Sequence, residues 1–197
     1  CSNPAKPAGT ACDDGNSCSV NDNCTSGVCG GTCYCAARPS GLVGWWPGDG
    51  NANDISGNGN NGVLAGGATF AAGEVGQAFS FDGVDDLVRV PGFLNTAPTS
   101  EVTVLFWQKV SSVKVQSTFV ASVSTNPSVF NGHVPFSDGR VYWDFGNISA
   151  GGRLSYTPPV SLVGTWQHFA LVASQSGNYM RIFRNGVQEA EKTGMTP

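Results

Sequence analysis

Charge is scarce in this chain. Only 12% of its 197 residues are Asp, Glu, Lys or Arg, about half the ~25% of an average soluble protein, which disfavours a helix bundle, a coiled coil and a charge-driven disordered chain. The ten basic residues are scattered singly against fourteen acidic ones, for a net charge of -4. A phosphate-backbone partner needs clustered Lys and Arg to displace counterions, so nucleic acid is not an expected partner. No apolar run approaches the ~18 residues that cross a bilayer as a helix, so no transmembrane segment is expected. No charged start followed by an apolar core marks a signal peptide either. Beyond Cys35 cysteine is absent. The chain therefore reads as two unlike pieces, each with its own composition.

All seven cysteines lie in the first piece, residues 1–36 (Cys1, Cys12, Cys18, Cys24, Cys29, Cys33 and Cys35). Almost nothing apolar stands between them, so no hydrophobic core forms and covalent bridges must hold the fold. Cys12, Cys18, Cys24, Cys29, Cys33 and Cys35 are the expected staples, with connectivity left open. The spacing lacks paired C-x2-C units, and neither His133 nor His168 is near, which argues against zinc. The odd count leaves one thiol over, and Cys1 is the natural outlier. Three explanations stand for it: pairing with a cysteine upstream in a longer chain, lipid attachment at a mature first residue, or an intermolecular bridge. Dense cysteine also points to an oxidising compartment, hence a secreted or cell-surface location. Two formal N-glycosylation sequons occur, Asn23-Cys24-Thr25 and Asn147-Ile148-Ser149.

Residues 37–40 form a junction, and from Gly41 to Pro197 the character changes to short alternating segments punctuated by Gly, Asn, Asp and Pro. Strands are expected at 42–46, 77–81, 87–90, 102–109, 118–123, 140–145, 165–173 and 179–184. In 102–107, Val102, Val104 and Phe106 share one face while Thr103, Leu105 and Trp107 share the other. Both faces are largely apolar, as in a strand covered on two sides. Asp82-Gly83, Asp138-Gly139 and Asn185-Gly186 supply tight-hairpin residues that tolerate positive φ. No window keeps a 3.6-residue period. The expected fold class is all-β, a two-sheet antiparallel jelly-roll sandwich behind a small N-terminal disulfide-rich segment.

Several motifs carry possible chemistry. Asp49, Asn51, Asn53, Asp54, Ser56, Asn58, Asn60 and Asn61 crowd hard oxygen donors into thirteen residues, the composition of a Ca2+ loop. An EF-hand fails here, because Asp54 stands at the required Gly and Asn60 at the required bidentate Glu. The expected Ca2+ ligands are Asp54, Asn58, Asn60, Asp82 and Asp85, with a self-bonded Asn/Gly turn as the competing reading. Gly57-x-Gly59-x-x-Gly62 matches a dinucleotide pattern but lacks the strand before and helix after that such chemistry needs. Of the four glutamates, Glu189 and Glu191 share a strand face at glycosidase-like spacing. They lack neighbouring aromatics, and a solvated face explains them better. His168, set between Trp166 and Phe169, reads as a packed structural residue, and His133 stands alone in a Pro/Gly-flanked loop. No nucleophile has a base beside it, and no enzyme is expected. For carbohydrate contact the chosen residues are Tyr142, Trp143 and Asn147, because one aromatic of an alternating Tyr-Trp pair faces outward beside hydrogen-bonding groups. The other tryptophans are expected mainly in the core.

Gly41-Leu42-Val43-Gly44-Trp45-Trp46-Pro47-Gly48-Asp49-Gly50, then Asp54 to Gly62, Val75 to Asp86, Val102 to Trp107, and Thr165 to Val172 with Arg184-Asn185-Gly186 together resemble laminin-G-like, concanavalin-A-like jelly-roll domains of bacterial surface proteins. The first piece is similar to Cys-Asp-Asp-Gly-Asn repeats of secreted bacterial proteins. The resemblance implies extracellular, non-enzymatic recognition of carbohydrate or a surface glycoconjugate, with structural Ca2+. It also implies further strands after the Asn-Gly hairpin and an acidic motif that the sequence does not display. Two expectations follow: either the sequence is cut from a longer chain, or another molecule completes the sheet, the latter giving the alternative of a structural subunit or segment of a surface assembly or filament that self-associates.

Overall fold

A computed structural model describes residues 8–12, 19–25, 28–33, 39–93, 97–121 and 130–194. The chain divides into two compact units, Cys1–Leu42 and Val43–Pro197.

The first unit is built on one antiparallel hairpin, β1 (Ser19–Thr25) and β2 (Val28–Cys33). Cys12 is bonded to Cys29, and Cys24 is also in a disulfide. Cys24 is buried; its amide donates to the Thr10 carbonyl and its own carbonyl accepts from Gly9, both at 2.9 Å. With so few apolar side chains, these bridges and backbone bonds replace a core. The expected attachment at Cys1 and the staples at Cys18 and Cys35 lie outside the described residues.

Among the described residues the second unit is built of strands joined by turns and loops, with a 3-10 turn at Ile148–Ala150 and 3-10 geometry also at Phe93. Its strands are β3 (Val63–Ala65), β4 (Thr69–Ala72), β5 (Gln77–Ser80), β6 (Leu87–Arg89), β7 (Glu101–Gln108), β8 (Phe119–Ala121), β9 (Phe130–His133), β10 (Val141–Phe145), β11 (Arg153–Tyr156), β12 (Gln167–Ser174), β13 (Tyr179–Arg184) and β14 (Val187–Thr193). Two four-stranded antiparallel sheets form the sandwich, ordered β11-β10-β9-β8 and β14-β13-β12-β7, with two-stranded pairs β3-β6 and β4-β5 beside them. The fold is the expected two-sheet antiparallel jelly-roll sandwich.

Period-two alternation builds the core. Val141, Trp143 and Phe145 of β10 point inward to meet Phe169, Leu171 and Ala173 of β12 and Met180 and Ile182 of β13, all of them buried. Burial of each such large side chain contributes about 1.5–3 kcal/mol. Gly132 of β9 lets the layers close: a Cβ there would lie 2.5 Å from the Phe119 ring and 3.3 Å from Leu171 Cδ1. The β13–β14 turn uses Asn185 and Gly186 at φ of 49° and 80°, the left-handed pair that a two-residue hairpin matching strand twist demands.

Several local expectations need correction. Residues 42–46 are not a strand, and Asp82-Gly83 closes no hairpin, since β5 pairs with β4 and β6 with β3. His133 is not in a loop but on β9. Strand β7 is covered on one face only: Leu105 is 60% and Trp107 48% exposed. Trp107 is therefore a surface residue, held edge-to-face against His168 with ring centroids 5.3 Å apart. Val187–Thr193 adds a strand that its polar composition concealed. The expected strand at 118–123 is seen as β8 up to Ala121, and its last two residues lie outside the described residues.

Candidate ligand-binding face

Alternation that sends Trp143 inward sends its neighbours outward. On the outer face of the β8–β11 sheet stand Asn131 and His133 from β9, Tyr142 and Asp144 from β10, and Arg153 and Ser155 from β11. The register sets Tyr142 opposite His133 and Ser155, and Asp144 opposite Asn131 and Arg153. Trp143 is 0% exposed, so the expected glycan contact at this residue is wrong: the strand's pleat gives its ring to the core. Tyr142 faces outward. Asn147 lies past the end of β10, exposed, its Oδ1 accepting from the Ser149 amide at 2.9 Å.

The face is organised by a buried carboxylate. Asp144 is 4% exposed, covered by the Arg153 guanidinium, whose Nε and Nη2 reach Oδ1 and Oδ2 at 2.6 Å each. This two-pronged match offsets the cost of burying the charge and raises the pKa of Arg153 above its ordinary value, hydrogen bonding to Asp144 outweighing burial. His133 Nε2 lies 3.9 Å from Asp144 Oδ2 and 2.9 Å from Asn131 Nδ2, while its Nδ1 lies 2.6 Å from the Gln116 carbonyl oxygen. Nδ1 therefore donates to the carbonyl and Nε2 accepts from the amide.

Tyr142 is fixed from several sides. Its hydroxyl donates to Asp138 Oδ2 at 2.6 Å, which holds the Asp138 carboxyl below and the Tyr142 phenol above their ordinary ranges. Two guanidinium groups lie over its ring, Arg140 at 5.5 Å and Arg153 at 5.0 Å from the centroid, and the rings of His133 and Phe136 meet it edge-on. Arg140 Nη2 donates to Ser155 Oγ at 2.7 Å, while its buried Nε has no protein partner. The face thus presents planar hydrogen-bonding groups around one anchored ring. Past Asp138 it adjoins an open hollow of about 310 Å3 lined by Val113, Pro135, Pro158, Val160, Leu162 and their neighbours.

The expected Ca2+ ligands fall into two separate sets. Asp54 is the hub of the 43–62 loop: Oδ1 accepts from the amides of Trp45 and Ser56, and Oδ2 from Ser56 Oγ and the Asn60 amide, at 2.8–3.0 Å. Burial opposes its charge, but the Ser56 hydroxyl and these three N–H groups overcome it and bring the pKa to about 2. The Asn58 and Asn60 side-chain amides both donate to the Val43 carbonyl. Donors thus occupy both carboxylate oxygens of Asp54 that a cation would take, and the Asn58 and Asn60 side chains are turned with their amide nitrogens toward Val43. Asp82 and Asp85 lie instead with Asp86, their carboxylate oxygens within 4.8 Å of one another. Two oxygens on one Ca2+, each at about 2.4 Å, lie no farther apart than that, so this set fits the ion's dimensions.

A profile of the concanavalin A-like lectin/glucanases superfamily matches residues 82–197, more than half of the chain, and it runs through both four-stranded sheets. The chain belongs to this superfamily. Within the concanavalin A-like superfamily its jelly roll resembles domain 4 of AbnA, an extracellular arabinanase of Geobacillus stearothermophilus solved with arabinotriose, at a TM-score of 0.59 and 19% identity over 74% of this chain and 71% of that one. It also resembles the binding domain of botulinum neurotoxin serotype D, at 0.53 and 16% identity over 72% of this chain and 36% of that one. The binding domain of Paraclostridial Mosquitocidal Protein 1 gives 0.52 and 16%, over 72% and 37%. At such identities these likenesses establish fold. No curated protein matches the chain.

Concanavalin A-like folds also host glucanases, which makes the glutamates of β14 worth locating. Glu189 is bound by Arg184 and Glu191 by Arg181, each at 2.8 Å. Both carboxylates are thereby committed to ion pairs along the sheet. Sequence reasoning reached Tyr142, but did not select Asp138, Arg140, His133 and Arg153 as members of the face. The usable signal was register: once β9 and β11 flank β10, period two aligns them with Tyr142 and Asp144.

Proposed function

We propose that this chain is a non-enzymatic extracellular recognition module that binds carbohydrate on the outer face of the β8–β11 sheet. The observation that carries this reading is the convergence of Tyr142, Asp138, Arg140, His133 and Arg153 on one face of three adjacent strands. Sugars are recognised by such planar polar groups and aromatic edges together. The arabinotriose bound to the AbnA domain supports the substrate class, and the committed glutamates support binding without turnover. Ca2+ held by Asp82, Asp85 and Asp86 serves as structural support for the 81–86 loop. Disulfides in the first unit agree with a secreted or surface location, and no helix of the described residues is long and apolar enough to cross a membrane.

A glycan array probed with the whole chain, followed by calorimetric titration of the best hit, tests the reading. Binding that falls at least tenfold in Tyr142→Ala and Arg140→Ala, with unchanged thermal stability, supports it. Wild-type affinity in both variants, or no glycan bound, refutes it.

A further inference from the structure

The hollow beyond Asp138 narrows the kind of sugar this face would take. Its walls come from loops at one end of the sandwich: Val113 from the segment after β7, Pro135 from the β9–β10 connection, and Pro158, Val160 and Leu162 from the segment after β11. A plain hexose is hydroxylated on every edge and finds side-chain partners only on the Asp138, Thr157 and Ser161 part of this mixed lining, while Val113, Pro135, Val160 and Leu162 offer its hydroxyls none. A methyl group, by contrast, gains from them. At about 310 Å3 the space stands at the lower end of the ~300–1,000 Å3 of small-molecule sites, which suits one sugar unit or a substituent rather than a length of polymer.

Asp138 supplies the polar half of the recognition. It lines the hollow and is tied to the sheet face through Tyr142. Its Oδ1 accepts from the Arg140 amide at 3.0 Å and its Oδ2 from the Tyr142 hydroxyl at 2.6 Å. An ionised carboxylate has about four acceptor sites, so two remain for N–H or O–H donors of a ligand. Hydrogen bonds from Tyr142 and Arg140 keep this group charged. A second carboxylate brought here would be repelled. Thr157 and Ser161 add hydroxyls to the same lining.

An apolar recess beside a charged acceptor is the complement of an acetamido group, whose N–H and methyl lie a few ångströms apart. Resting on the carbohydrate-binding reading above, we infer that the hollow is a subsite for an uncharged N-acetylated sugar: the acetamido N–H donates to Asp138 while the methyl sits against Val113, Pro135 and Val160. The remainder of the sugar reaches the Tyr142 and Arg140 face through Asp138, the residue the two regions share.

Titration calorimetry with N,N′-diacetylchitobiose, cellobiose and a glucuronate disaccharide tests the assignment, with a broad glycan array run on the same preparation. One apolar group in a fitted pocket is worth about 10–200-fold, so the acetylated disaccharide should bind at least tenfold more tightly than cellobiose, and the glucuronate most weakly. Val160→Asp, at an exposed position, should erase that preference without unfolding the chain, and Asp138→Asn should weaken the acetylated sugar. Equal binding of cellobiose, preferred binding of the glucuronate, or array hits confined to sugars without acetamido groups would overturn the subsite while leaving carbohydrate recognition standing. No glycan bound in any arm overturns both.

Discussion

The indole N–H of Trp143 donates to the Val172 carbonyl oxygen at 2.9 Å, tying an inner strand of one sheet to an inner strand of the other. Trp143 thus packs within its own sheet against Phe119, Phe130 and Phe145 and reaches the other sheet by a directional bond. Trp143→Phe keeps most of the packing and should cost about 1–2 kcal/mol, the value of one buried hydrogen bond and its unpaired acceptor. Trp143→Ala should cost about 3–5 kcal/mol. Urea unfolding of both variants measures the two shares, and a neutral Phe variant would remove the bond's role.

Arg153→Met should destabilise more than its surface position implies. It strips Asp144 of its guanidinium and leaves a carboxylate 4% exposed beside Asn131 and His133. Breaking a buried pair from one side costs about 3–5 kcal/mol. Because the Arg153 side chain is 41% exposed, solvent screening brings the expected cost below that range, to about 2–3 kcal/mol. The double variant Arg153→Met with Asp144→Asn should recover most of the loss, and a double-mutant cycle in urea reads the coupling directly.

Acid should loosen the 43–62 loop in a defined window. The Asp54 carboxyl has a folded pKa of about 2 against an ordinary 3.8. A group whose folded pKa is depressed contributes stability fully above its unfolded pKa and loses it as pH falls through the folded one. Protection of the Trp45, Ser56 and Asn60 amides against hydrogen exchange, taken relative to the intrinsic rate at each pH, should therefore fall between about pH 4 and pH 2. Asp54→Asn should flatten that dependence. Protection factors indifferent to pH in the wild type would count against Asp54 as the organiser of the loop.

Ca2+ offers a second stability test. A ligand held only by the folded state at a hundred times its Kd adds about 2.7 kcal/mol, which corresponds to a rise in Tm of about 5–10 °C for a chain of this size. Calcium at millimolar concentration should raise the Tm, chelator should reverse the rise, and Asp82→Asn or Asp85→Asn should abolish it. The same rise surviving in both variants would place the ion elsewhere.

Class and layering were legible in the sequence because alternation is written directly into residues such as Val102–Trp107 and Val141–Phe145, and Asn185-Gly186 marks its own turn. Other features needed the third dimension. β9 is four residues long with a glycine at an inward position, so no pattern announced it, and His133 was hidden with it. Strand β14 reads as polar because it lies at a sheet edge. Trp107 shows the limit of composition most plainly: an apolar strand is consistent with cover on two faces or on one, and only the packing of neighbouring elements decides. The Asp54 loop has the composition of a calcium site, yet the Ser56 hydroxyl and the backbone amides of Trp45, Ser56 and Asn60 saturate the carboxylate.

The Asn185-Gly186 turn has a consequence for how the protein ages. Asn-Gly pairs lose their side-chain amide when the following backbone nitrogen attacks the side-chain carbonyl and closes a five-membered imide. Here the Asn185 Oδ1 accepts from the His168 amide at 2.8 Å and its Nδ2 donates to Gln167 at 2.9 Å, which fixes the group to β12 rather than leaving it free to swing toward Gly186. The turn geometry that terminates β13 also shields this Asn-Gly pair, one of four in the chain with Asn58-Gly59, Asn61-Gly62 and Asn131-Gly132, so deamidation at Asn185 should begin only where the sheet has already opened.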